Sequence, residues 1–88
     1  MPSLAGRIRS RPGSIMHSVR GRVIAVQEGR FRLVADDGRV LPFVLSHKAS
    51  AEPQDLPPLM ARPVRVRVSY SESPHLIAGM AHRVEIEE

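Results

Sequence analysis

The chain has 88 residues, of which 42% are hydrophobic and 25% charged, with no cysteine and a formal net charge of +4. A chain of this length makes one small domain with a thin core, burying about 60–65% of the surface that it exposes when unfolded. The lack of cysteine excludes a disulfide staple and a thiolate metal site and makes a cytoplasmic location the expectation; no apolar run approaches a membrane span, and no apolar stretch follows the early arginines as a secretory signal requires.

Residues 1–17 read as a flexible basic segment. Gly6, Pro12 and Gly13 break any regular pattern, Arg7, Arg9 and Arg11 carry charge, and Met16 offers an alternative start. Residues 18–88 read as a single β domain. "VRGRVIAVQE" from Val19 is rich in β-branched residues and predicts a first strand that ends at Gly29. In "RFRLVAD" the residues Phe31, Leu33 and Ala35 take one side, and Arg30, Arg32 and Val34 the other. Asp36-Asp37-Gly38 then predicts a tight hairpin turn, because Asp tolerates turn geometry and Gly accepts a positive φ. "RVLPFVLS" predicts a third strand with Leu41, Phe43 and Leu45 on one face and Val40, Pro42 and Val44 on the other. Pro42 has no N–H to donate, which places this strand at a sheet edge or gives it a bulge.

Residues 47–63 hold four of the eight prolines and interrupt the rhythm. A short helical turn fits Ala49–Glu52 or Leu59–Arg62, with Leu56 and Leu59 closing one end of the core. Strict alternation returns at "VRVRVSY": Val64, Val66, Val68 and Tyr70 point inward, and Arg65, Arg67 and Ser69 outward. A loop at residues 71–74 leads to a last strand over His75–Glu87, in which Gly79 suits a bulge or bend. Five short strands without a long helix imply an all-β fold. Closure solves the edge problem, so the expected form is a small five-stranded antiparallel Greek-key barrel of the OB type, with an SH3-like barrel as the competing architecture.

The charge is uneven. Residues 1–39 hold eight basic and three acidic side chains, and residues 40–88 hold five basic and six acidic ones. Arg20, Arg22, Arg30 and Arg32 on neighbouring strands form a candidate cationic stripe, with Arg39, Lys48, Arg65 and Arg67 at its margins. Guanidinium groups fork onto phosphate and stack on bases, so such a stripe suits single-stranded RNA or DNA bound with little sequence preference and strong salt dependence. Alternate arginines are also the ordinary wet side of a half-buried sheet.

The laid-out strands resemble a cold-shock domain over roughly Gly21 to Val84. Gly21-Arg22-Val23 resembles the family's opening Gly-x-Val, and Glu28 to Leu33 followed by Asp36-Asp37-Gly38 resembles its Lys-Gly-Phe-Gly-Phe-Ile and Asp-Gly turn. Phe43-Val44-Leu45 resembles its Phe-Val-His, and Ala81 to Val84 its closing Ala-x-x-Val. The resemblance implies an OB fold that binds single-stranded nucleic acid on a sheet face. It also exposes departures: Arg30 and Arg32 stand where the family has phenylalanines, Leu45 where it has a histidine, and Ile24, Ala25 and Val26 where it has a tryptophan–phenylalanine pair. Phe43 alone keeps an aromatic side chain at a matched position and joins the candidate site. Each lost stacking platform forgoes about 1–3 kcal/mol per base.

Catalysis, a metal and a cofactor are not expected. Asp36 and Asp37 are explained by the turn, Ser46 beside His47 lacks an orienting third group, and no phosphate-binding glycine pattern occurs. His17, His47, His75 and His82 are not spaced as metal ligands. The alternative function is a protein-interaction or scaffold module, self-associating or docking a partner through the Leu41–Leu45 face or an open strand edge.

Overall fold

The run of valine and isoleucine around the first arginines favours extended backbone, and it folds as a strand, β1, over Met16–Gln27. The computed structural model describes residues 15–72 and 77–87. The other strands are β2 (Arg30–Ala35), β3 (Val40–Leu45), β4 (Arg65–Ser71) and β5 (Gly79–Glu87), and a six-residue helix, α1, spans Leu56–Ala61. The expected flexible segment falls largely on residues 1–14, outside the described residues, but Met16 and His17 already pair with Ser71 and Tyr70 in β1–β4. The last strand begins at Gly79, after Ile77 and Ala78, while the expected start at His75 lies outside the described residues.

The sheet closes into a ring in the order β1-β2-β3-β5-β4, with β4 returning to β1. The expectation of an all-antiparallel sheet needs one correction: β3 and β5 run parallel, through Phe43–Gly79, Val44–Met80 and Leu45–Ala81. A parallel neighbour requires a long crossover, and the proline-rich connection, α1 and β4 together supply it.

β1 serves two partners. Its first half pairs with β4 and its second half with β2, and Gly21 belongs to both ladders, opposite Val66 and Ala35. A side chain has no room there: a Cβ on Gly21 would overlap the Val34 carbonyl oxygen and lie 2.8 Å from Ala35 Cα. Between Val23 and Ala25 the β1–β2 register shifts, leaving Ile24 as a bulged, exposed residue and increasing the bend.

The two hairpin turns use different chemistry. At Asp36-Asp37-Gly38 the Gly38 amide donates to the Ala35 carbonyl (2.9 Å), the Ala35 amide donates to the Arg39 carbonyl (2.7 Å), and Gly38 has φ 93°. This is a three-residue turn that requires a left-handed residue at its last position, as the sequence predicts. In the β1–β2 turn the positive φ falls on Glu28, at 57°, where a side chain is penalised. Replacing Glu28 with Gly is expected to raise stability by about 1 kcal/mol. Urea denaturation reads this directly, and a lower midpoint for the variant contradicts it.

Pro42 does not mark a sheet edge, because β3 lies between β2 and β5. The bonds from the Leu45 amide to the Gly29 carbonyl and from the Ala35 amide to the Arg39 carbonyl put the odd-numbered residues of β3 in hydrogen-bonded pairs with β2. Pro42, opposite Arg32, therefore turns its nitrogen away from β2, and the β5 ladder begins only at Phe43. The strand accommodates proline at the one stretch where neither neighbour asks for a donor.

The core is formed by the inward residues Val23, Phe31, Leu33, Phe43, Val66, Val68 and Ala81, closed at one end by Leu56 of α1, with Leu59 packed against it. The short helix expected near residue 59 thus begins earlier, at Leu56. Pro57 and Pro58 sit in its first turn, where a missing N–H costs nothing. Ahead of it the Asp55 carboxylate accepts the Glu52 amide at 2.9 Å.

Candidate nucleic-acid interface

Alternation puts the even-numbered residues of β2 and β3 on the outside of the ring, and register sets them in rows. Gln27, Arg30 and Val44 form one row; Ala25, Arg32 and Pro42 form the next; Arg22, Val34 and Val40 follow. The first two rows, with Ile77 and Ala78 before β5, bound a groove of about 670 Å³. Arg30 and Arg32 are exposed in it, and neither makes an ion pair among the described residues. Pro42, Val44 and Ile77 give the groove an apolar surface beside these cations. Guanidinium groups without a carboxylate partner can fork onto phosphate, and apolar surface beside them can lie against flat rings.

The remaining arginines of the stripe are arranged otherwise. Arg20 Nε lies 3.0 Å from Glu87 Oε1, and Arg67 Nε 3.3 Å from Glu87 Oε2, the latter without the alignment of a hydrogen bond. Arg65 is paired with Asp36, whose hydrogen bond raises the guanidinium pKa above its ordinary value. At the β2–β3 turn Asp37 accepts from the Arg39 amide (3.1 Å) and from Arg39 Nε (2.8 Å). The bond from the Arg39 backbone holds the Asp37 carboxyl below its usual range. Its contribution to stability is therefore present above that range and fades as pH falls through the lowered pKa.

Comparison with known proteins finds no matching family model, no similar curated protein and no similar solved structure.

The fold thus divides the residues that the sequence groups together. Arg30 and Arg32 share the groove; Arg22 is exposed on the same outer face, one row away, with no ion pair among the described residues. Arg20, Arg65 and Arg67 lie on the β1–β4 side, facing Asp36 and Glu87, and Arg39 is held at the turn. Lys48 is exposed in the connection after β3, where its amide donates to Ser46 Oγ at 3.2 Å, and it does not line the groove.

Phe43 corrects the expectation most clearly. It is 2% exposed, with its ring 5.3 Å from Phe31 and 4.9 Å from Tyr70, so it lies beneath the groove as core and offers no open face for stacking. The Leu41–Leu45 face turns inward as a whole, since Leu41 and Leu45 pack against the same core. Sequence alternation marks Pro42 and Val44 as the opposite face, but nothing in the sequence joins them to Ile77 and Ala78, which the ring brings over from the β4–β5 connection. Among the described residues no three histidine, aspartate or glutamate side chains converge as a metal site, and no helix is long and apolar enough to cross a membrane.

Proposed function

We propose that this chain is a small nucleic-acid-binding module of the OB class, related in pattern to cold-shock domains, which holds single-stranded RNA or DNA across β2 and β3. The fold assignment is supported by the 1-2-3-5-4 ring, the parallel β3–β5 contact and the helix between β3 and β4 whose Leu56 plugs one end. One observation carries the functional reading: Arg30 and Arg32 stand in an apolar-lined groove without an ion pair among the described residues, while Arg20, Arg65 and Arg67 face Glu87 and Asp36. Phosphates bind the guanidinium groups, and bases lie on guanidinium planes, Pro42 and Val44. Contacts of this kind read charge and flatness, so the groove binds with little sequence preference and with steep salt dependence.

The alternative reading, a protein-docking module, rests on the Leu41–Leu45 face or an open strand edge, and the core-facing Leu41, Phe43 and Leu45 weigh against the first of these. Titration of the labelled protein with a single-stranded oligonucleotide, followed by amide NMR at low and moderate salt, tests the proposal. The amides of Ala25, Gln27, Arg30 to Arg32, Val44 and Ala78 should shift, and those of Asp36 to Arg39 should not. An unchanged spectrum at low salt overturns the proposal.

The charge-paired cluster provides a second check. Replacing Arg20 and Arg67 together with Ala removes two cations that share Glu87 and lie outside the groove, and at about 0.15 M salt distant charges are screened within about 8 Å. Oligonucleotide affinity should change less than about threefold. A tenfold loss in fluorescence anisotropy would move the binding surface to the β1–β4 side.

A further inference from the structure

Beside the groove lies a smaller cleft of about 250 Å³, between β3 and the β4–β5 connection, lined by Leu41, Tyr70, Glu72 and Gly79 together with Pro42, Phe43, Ile77 and Ala78. The last four residues also line the groove, so the two spaces are continuous. The cleft falls short of the roughly 300 Å³ at which sites for drug-sized ligands begin, and it suits a single flat ring system. Its walls are apolar and partly aromatic: the Tyr70 ring stands edge-on to Phe43 at 4.9 Å. Gly79 makes this possible, because a Cβ there would lie 2.9 Å from Tyr70 Cδ2 and 3.1 Å from the Phe43 ring.

We propose that this cleft is a base-specific subsite and that it takes a guanine turned out of the strand lying in the groove. This rests on the nucleic-acid reading of the groove and extends it. Among the described residues that line the cleft, Glu72 carries the one carboxylate, and it makes no ion pair among the described residues. A carboxylate repels phosphate, so the backbone stays over Arg30 and Arg32 and only a base enters. An ionised carboxylate is also an acceptor without donors. Guanine presents two adjacent donors on its Watson–Crick edge, N1–H and the N2 amino group, which match the two carboxylate oxygens. Adenine and cytosine offer one amino group each, and uracil or thymine a single ring N–H. The groove therefore supplies sequence-indifferent affinity, and the cleft adds a preference at one position.

The test uses the full chain and fluorescence anisotropy with an oligo(dT) strand and the same strand carrying one central dG, dA or dC. The dG strand should bind about tenfold more tightly than oligo(dT), in line with one bidentate contact to a base. Glu72→Gln should remove that advantage while leaving the oligo(dT) affinity and its salt dependence unchanged. Equal, salt-sensitive binding of all four strands, or a preference for dA or dC, overturns the guanine subsite and leaves the groove standing. A dG preference that survives Glu72→Gln overturns the role of the carboxylate. No binding of any strand at low salt removes the groove reading and the subsite together.

Discussion

Replacing Arg30 and Arg32 together with Ala is expected to weaken oligonucleotide binding at least tenfold and to flatten its salt dependence. The two side chains occupy neighbouring rows of one groove and have no carboxylate partner among the described residues, so their charge is available to a ligand. A charge-assisted hydrogen bond contributes about 1.5–3 kcal/mol when well formed. Both arginines are exposed, and half the lower figure for each already amounts to the tenfold loss. For a single strand each phosphate contact contributes about 0.7 to the slope of log K against log salt, so the double variant should lose about 1.4. Replacing both with Lys separates charge from geometry: the salt slope should stay and part of the affinity should go, because lysine neither forks nor stacks. Anisotropy titrations at several salt concentrations measure both quantities. An alanine double variant that binds as the parent does would show that the groove is not the interface.

Gly21→Ala is expected to be the most damaging single methyl addition to the fold. Gly21 is in register with a strand on each side, opposite Ala35 of β2 and Val66 of β4, and the atoms that a Cβ would meet are backbone, the Val34 carbonyl and Ala35 Cα. A flexible side chain could move aside; two paired strands cannot do so without breaking register elsewhere. Overpacking typically costs about 1–3 kcal/mol and more where the backbone must shift, so a loss of about 3 kcal/mol is expected. Against the roughly 4–13 kcal/mol available to a domain of this size, that lowers the melting temperature by about 15 °C. Gly29→Ala is the matched control, because the nearest atoms, Leu45 Cβ and Pro53 Cγ, are both 3.9 Å away, an ordinary contact. Thermal unfolding of the two variants should separate them clearly. A Gly21→Ala melting temperature within a few degrees of the parent would mean that β1 is not pinned between β2 and β4.

The same double pairing of β1 explains why the candidate site could be read only in part from sequence. Along a strand the side-chain period is two, so the inward set Phe31, Leu33, Val66 and Val68 and the outward set Arg30, Arg32, Arg65 and Arg67 follow from alternation alone. The Asp36-Asp37-Gly38 turn follows equally well, because its chemistry is local. Strand lengths and ends did not: the ladder to Ser71 and Tyr70 extends β1 back to Met16. Phe43 was ambiguous because both faces of its strand are apolar, and only the ring shows which face is enclosed.

By itself, then, the order of residues determined a β domain with a basic first half, a hairpin at Asp36-Asp37-Gly38 and a core led by valine, leucine and phenylalanine. Tertiary structure alone decided which arginines keep their charge free. Glu87 comes to Arg20 and Arg67 from the far end of the chain, through the β4–β5 and β1–β4 ladders, and Asp36 reaches Arg65 across 29 positions. Alternation is a property of each strand and is written locally. Neutralisation and the junction of Pro42 with Ile77 depend on which strands become neighbours, and ring closure settles that.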